Sequence, residues 1–272
     1  MSLPFQRLLV ATEHTDFDSG AERVALAMAG RCGLPLAAVF PLVSNPEYEA
    51  VAPQLVARAE ADAMAKIADL EHMADSAGVD LDVQVRRGDE PWQEIVAEAG
   101  ERAADLLIVR RRGRRSFLAQ LMVGDLAGKV AAHAPCNVLM VPRGGRMWQH
   151  SLVAAIDGTA ACERVVAVAI GVAAQCGLPL VFVSVAAKDD AGIATTALTR
   201  AVNQAAAAGV NARAEVAIGK VHEAVAAIVQ RTEADLLIVG LRGDEAVEGF
   251  LLGSNARKLI ARAETPVLVV RP

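Results

Sequence analysis

The residues best suited to chemistry are Gly240-Leu241-Arg242-Gly243, followed after nine residues by Gly253-Ser254-Asn255. Asp235 to Val239 reads as a strand and the stretch after Gly253 as a helix, so the segment runs from a strand's carboxyl end to a helix start. Glycines there let backbone approach a phosphate chain closely. Ser254 adds a hydroxyl, and the helix start adds unpaired N–H groups and a favourable dipole. A triphosphate fits that arrangement, and the alternative is that the glycines are only turn and helix-start residues. Gly128-Lys129 and Gly219-Lys220 lack the spacing of a Lys-assisted phosphate loop. His14, His72, His133, His150 and His222 have no Cys or carboxylate partners at metal-ligand spacing. With no nucleophile elbow and no paired acid, catalysis has no visible machinery.

The densest charge cluster is Arg110, Arg111, Arg112, Arg114 and Arg115. Arginine forks suit phosphate oxygens, which gives one reading as an anion or polyanion site. The favoured reading is a solvated loop neutralising nearby carboxylates, Asp125 among them, because no aromatics interleave with the run as stacking platforms. The formal net charge of -5 agrees with the absence of a nucleic-acid or membrane-surface partner. Cys32, Cys136, Cys162 and Cys176 show no CxxC spacing and read as reduced packing residues.

These residues must be held by elements, and the chain repeats its elements. Leu8-Leu9-Val10-Ala11 matches Leu152-Val153-Ala154-Ala155, and Cys32-Gly33-Leu34-Pro35-Leu36 matches Cys176-Gly177-Leu178-Pro179-Leu180, both at an offset of 144. Asp105-Leu106-Leu107-Ile108-Val109 likewise matches Asp235-Leu236-Leu237-Ile238-Val239. The offset shrinks between the early and late matches, which places about thirteen extra residues of the first half around Ser44 to Pro53. Each half alternates short β-branched runs with Ala-rich amphipathic stretches, the pattern of βαβ units and a parallel sheet. Strands are expected near 7–11, 35–40, 81–85, 105–109 and 137–141, and again near 151–156, 180–185, 212–217, 235–239 and 267–270. Ser19 and Glu22 suggest a capping box, Gly33 and Gly78 helix ends, and Pro91 a helix start. The fold class is therefore α/β: two tandem doubly wound α/β/α domains, each with a five-stranded parallel sheet, over residues 1–143 and 150–272.

The longest uncharged run, Val165 to Ala187, has the length of a membrane span, but Gly177-Leu178-Pro179 divides it into a helix and a strand. Met1 to Gln6 leads into an apolar strand without the basic start and cleavage site of a signal peptide. A cytoplasmic protein with no membrane partner is expected.

The G-x2-G-x9-G-S pattern from Gly240 to Ser254, set in the duplicated five-strand layout, resembles the universal stress protein family. The resemblance covers nearly the whole chain. It implies that the second half binds ATP, with Asp157, after Ala155-Ile156, contacting the adenine or ribose end. It places Val185 against adenine, Val239 and Gly240 beside the ribose, and Arg242, Gly243, Gly253, Ser254 and Asn255 around the phosphates. Slow hydrolysis with Mg2+ on the phosphates stays open, as do a true ATP-hydrolysing enzyme of related fold and a nucleotide-free interaction protein. The main expectation is a nucleotide-responsive regulatory or protective stress factor that is not an enzyme.

The first half departs from the pattern: Arg110 stands in place of Gly240, Glu13 in place of Asp157, and Asp125 in place of Ser254, and ten residues separate Gly113 from Gly124. An arginine would fill phosphate space, and an aspartate at a helix start repels an anion. One ATP per chain is expected, in the second half. The short apolar strands at 138–141 and 267–270 are expected to pair, giving an intramolecular pseudo-dimer like the dimers of single-domain members, with a homodimer also open.

Overall fold

Asp105 and Asp235, which open the repeated Asp-Leu-Leu-Ile-Val segments, fasten two strands together at the same point of each repeat. The Asp105 carboxylate accepts the main-chain N–H groups of Gln6 and Arg7 at 2.9 and 3.0 Å. That of Asp235 accepts those of Gln149, His150 and Ser151 at 2.5, 3.0 and 3.3 Å. In return Asp105 N–H donates to Arg7 O and Asp235 N–H to Ser151 O, each at 3.1 Å. These charge-assisted bonds set the register of each repeat's first strand against its fourth.

The computed structural model describes residues 4–44, 46–111, 126–159, 162–186, 191–241 and 253–271. Contacts divide the chain into two compact units, Phe5–Arg146 and Met147–Pro272 with Met1–Pro4. In the first, β1 (Leu8–Ala11), β2 (Leu36–Val43), β3 (Leu81–Gly88), β4 (Leu106–Arg111) and β5 (Asn137–Pro142) form a parallel sheet in the order β3-β2-β1-β4-β5. Its helices are α1 (Ser19–Cys32), α2 (Pro46–Val51), α3 (Pro53–Ser76), α4 (Pro91–Glu101) and α5 (Leu126–His133). In the second, β6 (Leu152–Ala155), β7 (Leu180–Ala186), β8 (Ala212–Ile218), β9 (Leu236–Gly240) and β10 (Val267–Val270) repeat the arrangement in the order β8-β7-β6-β9-β10, again all parallel. Its helices are α6 (Cys162–Cys176), α7 (Ala191–Ala207), α8 (Val221–Arg231) and α9 (Ser254–Arg262).

β1 and β10 are covered on both faces. Every residue of β1 and of β10 is buried, and because successive side chains point to opposite faces, burial without alternation requires cover on each side. The strands β3 and β8 alternate in exposure, as strands with one face open to solvent do. Leu9, Leu107 and Ile108 in one unit and Leu152, Phe182 and Leu236 in the other are fully buried, each such side chain contributing about 1.5–3 kcal/mol.

All ten expected strands are present, with ends shifted by up to three residues. Gly33 ends α1 with φ of 62°, the left-handed conformation that lets its N–H reach back to Ala29 O. Pro91 opens α4. The first half's extra residues become α2 and a 24-residue α3, against 17 residues in α7. The Val165–Ala187 run is divided between α6 and β7, and among the described residues no helix is long and apolar enough to cross a membrane.

The capping box is a correction. Asp18 stands at the N-cap of α1 without a side-chain capping bond. Ser19 Oγ donates to Asp16 O, and Glu22 turns inward to Thr12 and His14.

Candidate functional site

In the second unit the sheet delivers the expected residues to its carboxyl edge. Ala155, the last residue of β6, lies level with Val239 of β9 and Val183 of β7. Ile156 N–H donates to Val183 O at 2.9 Å, extending the ladder one residue, and the Ile156 side chain is buried. Asp157 is therefore the first residue to leave the sheet, and it is exposed. Val185 lies two residues past Val183 on β7 and is half-buried.

The two ends of the glycine motif meet. Gly240 ends β9 opposite Val270, and Leu241 N–H donates to Val270 O at 2.9 Å. Gly253, thirteen residues after Gly240, donates its N–H to Leu241 O at 3.1 Å. It is also the N-cap of α9, with its carbonyl accepting Arg257 N–H at 2.9 Å and no side-chain capping bond. Ser254 and Asn255 open that helix and are exposed. The first N–H groups of a helix lack intrahelical acceptors and carry its positive dipole end. This end lies against the residue that follows Gly240. Arg242 and Gly243 fall outside the described residues.

Asp157 is tied into its own loop. Its Oδ1 accepts Thr159 N–H at 3.0 Å, Thr159 Oγ1–H at 2.7 Å and the Cys162 thiol at 2.7 Å. Asp157 N–H in turn donates to Cys162 Sγ at 3.1 Å. Burial, followed by the bond to Asp157, pushes the Cys162 thiol above its ordinary value, so it stays protonated as a donor. Gly158 turns the chain with φ of 81°.

The first unit fills the matching place with ion pairs. Thr12 N–H donates to Val39 O at 3.1 Å, as Ile156 does to Val183. Arg110, one residue past Val109 as Gly240 is past Val239, directs its guanidinium to Glu13 at 2.9 Å and to Asp18 and Thr15 at 3.2 Å each. Its side chain is 15% exposed and that of Asp18 1%. Glu22, buried where the second repeat has Val166, accepts Thr12 Oγ1–H at 2.5 Å and lies 3.0 Å from His14 Nδ1. His14 adopts a φ of 44° at the position of Gly158. Arg111 is buried, and burial pushes its guanidinium below the ordinary value. The solvated-loop reading thus fails for Arg110 and Arg111. The neutralised carboxylates are Glu13 and Asp18, while Arg112, Gly113, Arg114, Arg115, Gly124 and Asp125 lie outside the described residues.

The sequence reading passed over Cys162 and Asp18, taking the first as packing. The signal was available: the two stand at matching positions, each three residues after a threonine. No disulfide joins cysteines among the described residues. His222 is buried at the start of α8, and burial, with Arg262, Lys258 and Lys220, pushes its imidazole down against the opposing effect of Glu223. Among the described residues no group of three or more His, Cys, Asp or Glu side chains could hold a metal ion.

Two compact units in one chain, each with five parallel strands in the same doubly wound order, define a duplicated α/β protein. The family model of the universal stress protein family matches residues 4–142 and 149–271, and the chain belongs to that family, as a tandem member. A universal stress protein of Synechocystis sp. is 25% identical over 167 residues, 61% of this chain and 58% of that protein. A universal stress protein of Thermus aquaticus is 42% identical over 53 residues, 20% of this chain and 39% of that one. The matched stretches thus span less than two thirds of these relatives' own length. The crystal structure of a universal stress protein from Archaeoglobus fulgidus shares the fold across 99% of this chain and 98% of its own, with a TM-score of 0.79 at 19% identity.

Proposed function

We propose that this universal stress protein binds ATP in its second unit and acts as a nucleotide-responsive regulatory or protective factor. The observation that carries the reading is the Gly253 N–H to Leu241 O bond of 3.1 Å, which sets the start of α9 beside the carboxyl end of β9. Free N–H groups at a helix start and glycine backbone at a strand end are the features that accept phosphate oxygens. Ala155, Ile156, Asp157, Val185, Val239 and Gly240 would receive the nucleoside, and Gly253, Ser254 and Asn255, with Arg242 and Gly243, the phosphates. Mg2+, if bound, would ride on the phosphates, since no carboxylate cluster stands ready for it among the described residues.

The same reading makes the first unit a degenerate site. Arg110 holds the place of Gly240, and its charge is already met by Glu13 and Asp18. Function then rests on binding, with no general base or metal carboxylate assigned to turnover. Native mass spectrometry with and without ATP tests the proposal: one nucleotide mass per chain is expected, and an unchanged mass at saturating ATP would overturn it. Sustained ATP turnover well above the uncatalysed rate would favour an enzyme instead.

A further inference from the structure

We propose that Cys162 is a positioning residue for the nucleotide: with Thr159 it holds Oδ1 of Asp157 and leaves Oδ2 for the ligand. The inference rests on the reading of Asp157 as a ligand contact. Three donors converge on the one oxygen, Thr159 N–H, Thr159 Oγ1–H and Cys162 Sγ–H, at 3.0, 2.7 and 2.7 Å. The thiol sulfur also accepts the main-chain N–H of Asp157 at 3.1 Å. One side chain therefore grips both the backbone and the carboxylate of the same residue. Cys162 can do this because it sits in the first turn of α6 and is 8% exposed, so its own orientation is fixed by packing.

The first unit shows the alternative setting of the same loop. There Asp18 stands at the place of Cys162, and Thr15, the counterpart of Thr159, gives it both donors, N–H at 3.0 Å and Oγ1–H at 2.6 Å. Glu13, the counterpart of Asp157, takes its ion pair from Arg110. The residue at the helix start thus decides which carboxylate the threonine serves. A thiol donates and sends the threonine to the strand-end carboxylate, whereas an aspartate accepts and draws the threonine to itself.

The test is ATP affinity by calorimetry for the full chain and for Cys162→Ala, Cys162→Ser, Cys162→Asp, Asp157→Ala and the double variant Cys162→Ala/Asp157→Ala. Ligand-free melting is followed for each, to separate folding from binding. Losing a hydrogen bond to a charged group corresponds to roughly tenfold or more in affinity, so Cys162→Ala is expected to weaken ATP by about tenfold. Serine, which keeps a donor, restores binding, and Cys162→Asp weakens it at least as much as alanine. Added to Asp157→Ala, the alanine change at Cys162 has no further effect, because the group it positions is gone. Equal weakening in both backgrounds, or unchanged affinity in Cys162→Ala, overturns the positioning role while ATP binding stands. An unmodified protein that binds no ATP removes the nucleotide reading itself and this inference with it.

Discussion

The loops after β1 and after β6 are built on the same ladder and end with opposite electrostatics. In the first, Glu13, Asp18 and Glu22 meet Arg110 and His14 in a largely buried cluster. In the second the corresponding residues are Asp157, Cys162, Val166, Gly240 and Gly158, so one carboxylate remains and no cation faces it among the described residues. The comparison teaches that the same strand-end loop keeps its fold under opposite electrostatics. The first loop fills from within the place that, on the proposed reading, the second keeps for a ligand, and its charges satisfy one another.

Transplanting the filler is the largest break in the comparison. Gly240→Arg, which copies Arg110, should place a guanidinium beside Asp157 and abolish ATP binding, as should Gly253→Val at the phosphate approach. ATP at a hundredfold excess over its Kd stabilises a one-site protein by about 2.7 kcal/mol, so the thermal shift should vanish in either variant and survive in Gly124→Val. A full shift in Gly240→Arg would end the claim that glycine is needed there.

Removing the filler comes next. Arg110→Gly leaves Asp18 buried without its cation, and breaking a buried pair on one side costs on the order of 3 kcal/mol. Urea unfolding should show that loss, with no second ATP site gained. A change within roughly 0.5 kcal/mol, the size of a neutral surface substitution, would mean that the ion pairs do not hold the loop.

The smallest effect sharpens the second unit's own electrostatics. His222 has its pKa lowered in the fold, so the folded protein resists a proton that the unfolded chain accepts. Its contribution is present above the unfolded value of about 6.5 and is lost as pH falls through it. Melting temperatures between pH 7.5 and 5.5 should therefore fall less in His222→Gln than in the unmodified protein, and identical slopes would exclude the residue.

Much of this was legible beforehand because it rests on periodicity. Buried parallel strands such as β4 and β9 announce themselves as unbroken apolar runs, and Gly33 and Pro91 mark helix ends by backbone constraints that hold in any context. The polar partners were not legible in that way. Glu22 satisfied the spacing of a capping box, yet a buried Thr12 hydroxyl and His14 compete for it, which only the tertiary fold brings within reach. Arg110 read as part of a surface run because its neighbours are arginines, whereas its position on a central strand aims it at Glu13 and Asp18. Cys162 read as packing because thiols are mostly buried, and its bond to Asp157, five positions away, follows no helix or strand period.

The asymmetry of the two units is the central claim, and binding stoichiometry measures it directly. Isothermal titration of the full chain with ATP should saturate at one nucleotide per chain and fall to none in Gly240→Arg. Two equivalent sites, or one site that persists in that variant, would contradict the account.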